Sequence, residues 1–355
     1  MMARCSASLL ALCFAGASAG VAPSSVVGQE PTSDGQQWMM PRTPDGRPDL
    51  QGNWNNATIT PLQRPGGQGP VLTPDEVAAI EGPREALIED ASAASDPDRE
   101  APPAGGQEFN GNVLDTGTGT YNYVYIDGGD RVAILNGEPR SSLVTNPANG
   151  LIPPLTPEAQ QQRAELREFN NQFGQYDNPE NLGLALRCLT SFGSNAGPPM
   201  LPNYFYNNNY TIVQTPDHIM ILTEMIHDVR IIRMGDGPRL PEHIRPWMGD
   251  SWGHWEGDVL VVETTNLHPM QRYSSEKMKV TERFSRVAED ALLYEFNIDD
   301  PTTYTEPWGG QVPMLALDDL LYEYACHEGN YALANTLSGA RYQERLDAED
   351  LTGRK

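Results

Sequence analysis

The sequence is poor in cysteine, poor in positive charge and short of long apolar runs. Only 4 of its 355 residues are cysteine. Lysine and arginine together number 24 against 48 acids, a formal net charge of −24. That balance excludes nucleic acid and anionic lipid surfaces as natural partners. No stretch approaches the ~20 apolar residues that a membrane-spanning helix needs, so no membrane span is expected. Also missing are a phosphate-binding P-loop and a glycine-rich dinucleotide fingerprint, and although Gly249-Asp250-Ser251-Trp252-Gly253 has G-x-S-x-G spacing, Ser251 lacks the helix-opening context of a nucleophile elbow. No activated nucleophile and no organic cofactor are therefore expected.

What is present begins with an export signal. Arg4 gives a positive start, residues 8–15 are apolar, and Ala17-Ser18-Ala19 is a small-residue cleavage site. Residues 1–19 read as a signal peptide cleaved after Ala19, which places the mature chain in the periplasm or outside the cell. A lipid anchor on Cys13 is the alternative, disfavoured because Leu12 stands where such signals take a small residue. Cleavage removes Cys5 and Cys13. It leaves Cys188 and Cys326, an even pair in an oxidising compartment, which predicts one disulfide. A bonded pair also leaves no cysteine nucleophile.

Residues 20–37 are rich in Ser, Gly, Pro and Gln and read as a flexible leader, residues 38–345 as one β-rich domain, and 346–355 as a tail. Thr73-Pro74-Asp75-Glu76 and Thr156-Pro157-Glu158 each open a helix, with a threonine cap and proline at the first position. The Tyr121-Asn122-Tyr123-Val124-Tyr125-Ile126 run reads as a strand, and 131–135 and 141–145 continue the pattern. From residue 205 to 326 strand follows strand, with 211–214, 218–226, 229–234, 258–265, 279–287, 291–298, 311–317 and 321–326 rich in β-branched and aromatic residues. So many strands must hide their edges. The expected fold is mainly β: an antiparallel, lipocalin- or calycin-like barrel, or a two-sheet sandwich, with a few peripheral helices.

All six histidines fall between His218 and His327. His227 precedes Asp228 and follows Glu224; His327 follows Cys326 and precedes Glu328. An imidazole beside a carboxylate suits proton transfer near neutral pH, because the acid orients the ring. His227, His327, Asp228, Glu328 and Glu224 are thus the candidate catalytic set, with structural histidines as the alternative. The same residues include metal-ligand types, but there is no H-E-x-x-H or H-x-H spacing, and no metal is expected. Tyr206, Asn208, Trp252, Trp255 and Tyr324 supply aromatic planes and amides suited to a small apolar or glycosidic ligand. Packing over a barrel mouth would use them equally well. Glu263 shares a strand face with Val259 and Val261, which predicts an arginine partner, with Arg230, Arg233 and Arg283 as candidates.

Several motifs together resemble a broad family of exported bacterial proteins without an assigned activity. They are Arg47-Pro48-Asp49-Leu50-Gln51-Gly52, Tyr206-Asn207-Asn208-Asn209-Tyr210, Glu224-Met225-Ile226-His227-Asp228, Gly249-Asp250-Ser251, Trp255-Glu256-Gly257-Asp258 with Val261-Val262-Glu263-Thr264-Thr265-Asn266, Asp299-Asp300-Pro301, and Tyr322-Glu323-Tyr324-Ala325-Cys326-His327-Glu328-Gly329-Asn330-Tyr331. The resemblance covers roughly residues 42–342 and implies a single exported module. It carries no reaction. Trp252 and His254 stand where the family pattern suggests arginine. The function expected from the residues is an exported small-molecule enzyme doing cofactor-independent acid–base chemistry, of lyase, dehydratase or isomerase type, in a barrel pocket. A periplasmic small-molecule binding protein and an envelope interaction module are the alternatives. N-terminal sequencing of the exported protein is expected to begin at Gly20; an acylated Cys13 would establish a lipoprotein instead.

Overall fold

A computed structural model describes residues 38–92, 128–191, 197–203, 207–270 and 275–353. The signal peptide, the leader, the 121–126 segment and Tyr206 lie outside the described residues. In chain order the elements are β1 (Gly52–Asn55), α1 (Pro74–Ser92), β2 (Ile134–Leu135), β3 (Glu138–Pro139), β4 (Val144–Asn146), α2 (Pro157–Asn170), β5 (Asn209–Gln214), β6 (His218–Thr223), β7 (Val229–Met234), β8 (Asp250–Glu256), β9 (Val259–Thr265), β10 (Lys279–Arg286), β11 (Ala291–Asp299), β12 (Trp308–Ala316) and α3 (Ala332–Gly353).

The main sheet runs β1-β5-β6-β7-β8-β9-β10-β11-β12 and closes because β1 also pairs with β12, giving a nine-stranded barrel. β1 aligns Trp54 with Tyr210 on one side and with Ala316 on the other. Every neighbouring pair is antiparallel except β7 and β8, which run parallel over Ile232–Met234 and Ser251–Gly253. β4 adds to β12 with a register shift at Gly309 and Gly310. Both glycines are required there: a Cβ on Gly309 would lie 2.2 Å from the Phe296 carbonyl oxygen, and one on Gly310 would lie 2.3 Å from that of Leu143. The small β2–β3 hairpin turns through Asn136 and Gly137, both at positive φ, as a two-residue turn of that handedness demands.

Strand alternation is clean. On β11, Leu292, Tyr294, Phe296 and Ile298 point inward and are buried, while Leu293, Glu295 and Asn297 between them are part-exposed. The interior is filled by Trp54, Trp308, Tyr210, Tyr294 and Phe284, with Met200 and Leu201 of the 197–203 loop in the same cluster. The helices sit outside. Thr73 Oγ1 accepts from the Glu76 N–H (3.3 Å) while Glu76 returns a carboxylate to the Thr73 N–H (2.7 Å), a reciprocal cap at the start of α1. Thr156 Oγ1 caps α2 by accepting from Ala159 N (3.1 Å).

Three expectations are corrected. Residues 321–326 form no strand; they run as a loop into the disulfide. Residues 250–256, absent from the expected strands, form β8. α3, where no helix was expected, spans Ala332–Gly353. The Cys188–Cys326 disulfide is formed, with Cα atoms 5.8 Å apart.

Polar groups cross the filled interior. Arg230 of β7 donates to both carboxylate oxygens of Glu282 on β10, at 2.6 and 3.0 Å, and both side chains are almost fully buried. The Tyr294 hydroxyl donates to Glu282 (2.9 Å) and accepts from the Met200 N–H (2.9 Å). Burial, then the Glu282 charge, pushes the Tyr294 phenol well above its ordinary range. Burial pulls the Arg230 guanidinium toward neutrality, but the charge and bonds of Glu282 outweigh it, so its pKa ends above the usual value. Removing one partner strands the other charge in an apolar core. Glu282→Gln and Arg230→Met are each expected to lose about 3–5 kcal/mol in urea denaturation, and the double variant Arg230→Met/Glu282→Leu markedly less than their sum.

Candidate functional site

Glu224, Met225, Ile226, His227 and Asp228 connect β6 to β7 in a tight turn. Ile226 (φ 67°) and His227 (φ 49°) are consecutive non-glycine residues in left-handed backbone. For a β-branched isoleucine this is a strained conformation, costing on the order of 1–3 kcal/mol. The surroundings hold it. Met225 and Ile226 are buried. The Glu224 N–H donates to the Asn209 carbonyl (3.0 Å), the His227 N–H to that of Glu224 (3.0 Å), and the Thr223 N–H to that of Asp228 (2.9 Å). The sequence reading put His227 at the end of a strand; it stands in this turn, and its side chain is exposed.

Glu224 is buried and fully engaged. One carboxylate oxygen accepts from Asn209 Nδ2 (2.8 Å) and the other from the Tyr322 N–H (3.1 Å). Its role is to clasp the turn to the 318–331 segment. A second clasp is the 2.9 Å hydrogen bond between His227 Nδ1 and the Tyr324 carbonyl. A carbonyl only accepts, so Nδ1 carries the proton, and the neutral ring keeps its lone pair on Nε2. Two residues further on, Cys326 is bonded to Cys188, so the carbonyl that orients the imidazole is anchored covalently.

Asp228 completes the turn. Burial raises its carboxyl from 3.8 to about 6, with the neighbouring His227 pulling the other way. Its Oδ2 is buried without a hydrogen-bond partner among the described residues. The turn therefore joins an imidazole of fixed tautomer to a carboxyl that exchanges its proton close to neutrality, a combination suited to moving protons.

The structure brings together Glu224, His227, Asp228, the Tyr324 backbone and the disulfide. His327 and Glu328 lie on the same anchored segment but are exposed; the His327 carbonyl accepts from the Asn330 N–H (3.2 Å). Both histidines stand outside the packed barrel interior where a shared pocket was expected. Asn208 is closed to a ligand: it is fully buried, and its amide exchanges two 2.7 Å bonds with the Asn203 backbone. Trp252 is only half-buried, and its indole is flanked by neighbours. The Arg233 guanidinium sits 4.2 Å from its ring centroid, and a Cβ on Gly237 would lie 2.0 Å from the indole. Trp255 packs partly buried against the barrel core. Glu263 faces outward and pairs with Arg239 (3.2 Å) and Lys279 (3.5 Å), not with Arg230, Arg233 or Arg283. Among the described residues no three His, Cys, Asp or Glu side chains are grouped to hold a metal ion.

Sequence reasoning missed the Arg230–Glu282–Tyr294 chain. The signal was parity: Glu282 lies between Val280 and Phe284 on the inward face of β10, and Arg230 shares a face with Ile232 on β7.

The arrangement defines a closed barrel with a packed interior and a titratable turn at its rim, clasped to a disulfide-anchored segment. No family model, curated protein or solved structure matches the chain. No helix among the described residues is long and apolar enough to cross a membrane.

Because the Asp228 carboxyl is raised in the folded state, the folded protein holds that proton more tightly than the unfolded chain. Its contribution to stability is full below about pH 3.8 and is lost as pH rises through about 6. Denaturant midpoints measured between these values are expected to fall with rising pH relative to Asp228→Asn, which lacks the titrating group. Parallel curves for the two proteins would show that the carboxyl is not shifted.

Proposed function

We propose that the His227–Asp228 turn is the proton-transfer site of an exported enzyme that acts on a small molecule by acid–base chemistry, of lyase, dehydratase or isomerase type, without an organic cofactor. The observation that carries this reading is the pair of left-handed residues Ile226 and His227, which present an imidazole whose Nδ1 proton is committed to the Tyr324 carbonyl. Strained non-glycine backbone persists where its surroundings over-determine it, and such strain concentrates at functional sites. His227 Nε2 is the base. Asp228, with a pKa of about 6, is the group able to donate a proton as the reaction closes. Glu224 and the Tyr324 carbonyl position them. His327 and Glu328, exposed on the anchored segment, are the substrate contacts of this reading.

A second reading rests on the same bond: His227 serves only to fasten the 318–331 segment to the barrel, as an interaction module would require. The two separate in one experiment. Base chemistry exchanges a substrate proton with solvent, so a panel of small carbonyl and hydroxy compounds is incubated with the protein in D₂O and followed by proton NMR. His227→Ala is expected to lower exchange about 10²–10⁴-fold with little change in melting temperature. A variant whose melting temperature collapses, with any exchange falling only as folded protein is lost, would overturn the catalytic reading in favour of the fastener.

A further inference from the structure

Helix α1 does not rest on the barrel. Its half-buried positions Val77, Ile80, Glu81, Arg84, Leu87 and Ile88 recur at helical spacing and mark one face, yet none of its described side chains is buried. Polar staples hold it at a distance. Glu81 accepts from the Val132 N–H and from Arg131, both at 2.9 Å, and Arg84 Nε donates to the Gly129 carbonyl at 3.1 Å. Between the helix and the outer barrel wall lies a cavity of about 800 Å³. Its walls include Leu72, Val77, Val132, Ile134, Pro313 and Leu315. Pro313 and Leu315 are the outward residues of β12, alternating with buried Val312 and Met314. A cavity of this size and lining is in the range that accepts a small molecule with a bulky apolar body.

Charge at one end narrows the choice. Arg131 lies 2.9 Å from Glu81 and 3.9 Å from Glu85, and Asp130 acts on it electrostatically. All four residues line the cavity, so three carboxylates face one guanidinium and the local balance is negative. Glu81 is committed to Arg131 and to the Val132 N–H, leaving Glu85, 3.9 Å from the same guanidinium, and Asp130 as the less fully compensated carboxylates. The net charge of −24 adds a long-range field of the same sign. An apolar anion such as a fatty acid is opposed on both counts, and an apolar cation is favoured.

We infer that this cavity binds a lipophilic cation, its apolar body against the β12 wall and its charge at the Glu85–Asp130 end. The site lies on the outer wall, is built from residues separate from the His227 turn, and does not depend on the reading of that turn. The test is isothermal titration of the full exported chain with tetraphenylphosphonium and with tetraphenylborate, ions of nearly one shape and opposite sign. The phosphonium is expected to bind at least about tenfold more tightly than the borate. Glu85→Gln combined with Asp130→Asn is expected to shrink that preference to about threefold or less. Ala78→Trp and, separately, Leu315→Trp fill the cavity and are each expected to weaken phosphonium binding about tenfold or more, in proteins whose melting is checked first. Equal affinity for the two ions overturns the inference, as does phosphonium binding that ignores both tryptophan variants. Binding that appears only when residues 93–127 are deleted would show that the chain's own segment holds the cavity, and binding lost as protein concentration rises would assign it to a second copy; either result also overturns it.

Discussion

The buried Arg230–Glu282 pair is the constraint around which the barrel is organised. β7 and β10 are not neighbours; two strands separate them, and one intervening junction, between β7 and β8, is a parallel pairing three residues long. The ion pair spans the interior across this part of the wall. Its bonds continue through the Tyr294 hydroxyl to the Met200 backbone, so one polar chain links β7, β10, β11 and the loop that plugs the barrel. A one-residue slip of β7 would turn Arg230 outward and leave Glu282 charged and alone in an apolar core. The pair thereby fixes strand register beside one of the shortest backbone pairings in the barrel.

The rim turn depends on contacts of another kind. A buried isoleucine in left-handed backbone is unfavourable by itself. The turn persists because Glu224 is bonded on both oxygens and because the histidine meets a carbonyl that a disulfide keeps in place. That disulfide joins residues 138 apart in sequence. In the chain-entropy model such a link removes about 4–5 kcal/mol of freedom from the unfolded chain. Much of the order at this end of the molecule thus comes from restricting what the unfolded chain can do, rather than from surface buried in the folded state.

Much of the architecture was legible in the sequence, since strand periodicity and turn chemistry are local. β6, β9, β10 and β11 lie close to where alternation put them, and both threonine-capped helices begin at the expected proline. The disulfide followed from counting the cysteines that remain after the expected signal peptide. Three things were not legible. β8 includes Asp250, Gly253 and Glu256, residue types depleted in strands, and it becomes a strand through pairing with β7 and β9. The parallel junction needs the 235–249 connection to cross, which local pattern does not report. For the site, adjacency of His227 and Asp228 was plain, but the left-handed turn was not, because no glycine marks it. The partner carbonyl of Tyr324 lies 97 residues away. Asn208 and Trp252 looked available as ligand contacts because sequence shows residue type and not what already surrounds a side chain.

The pairing of β1 with both β5 and β12 has a consequence for how the protein reaches this form. β1 ends at Asn55 and β12 begins at Trp308, so the seam that closes the barrel joins segments some 250 residues apart. Until β12 has emerged, β1 and every strand from β5 onward form an open sheet with two unsatisfied edges, a state prone to pairing with other chains. Contacts of such long range form late and slowly. A chain of this topology therefore has a window, between synthesis and closure, in which its survival is governed by how fast one seam is found rather than by how stable the finished barrel is.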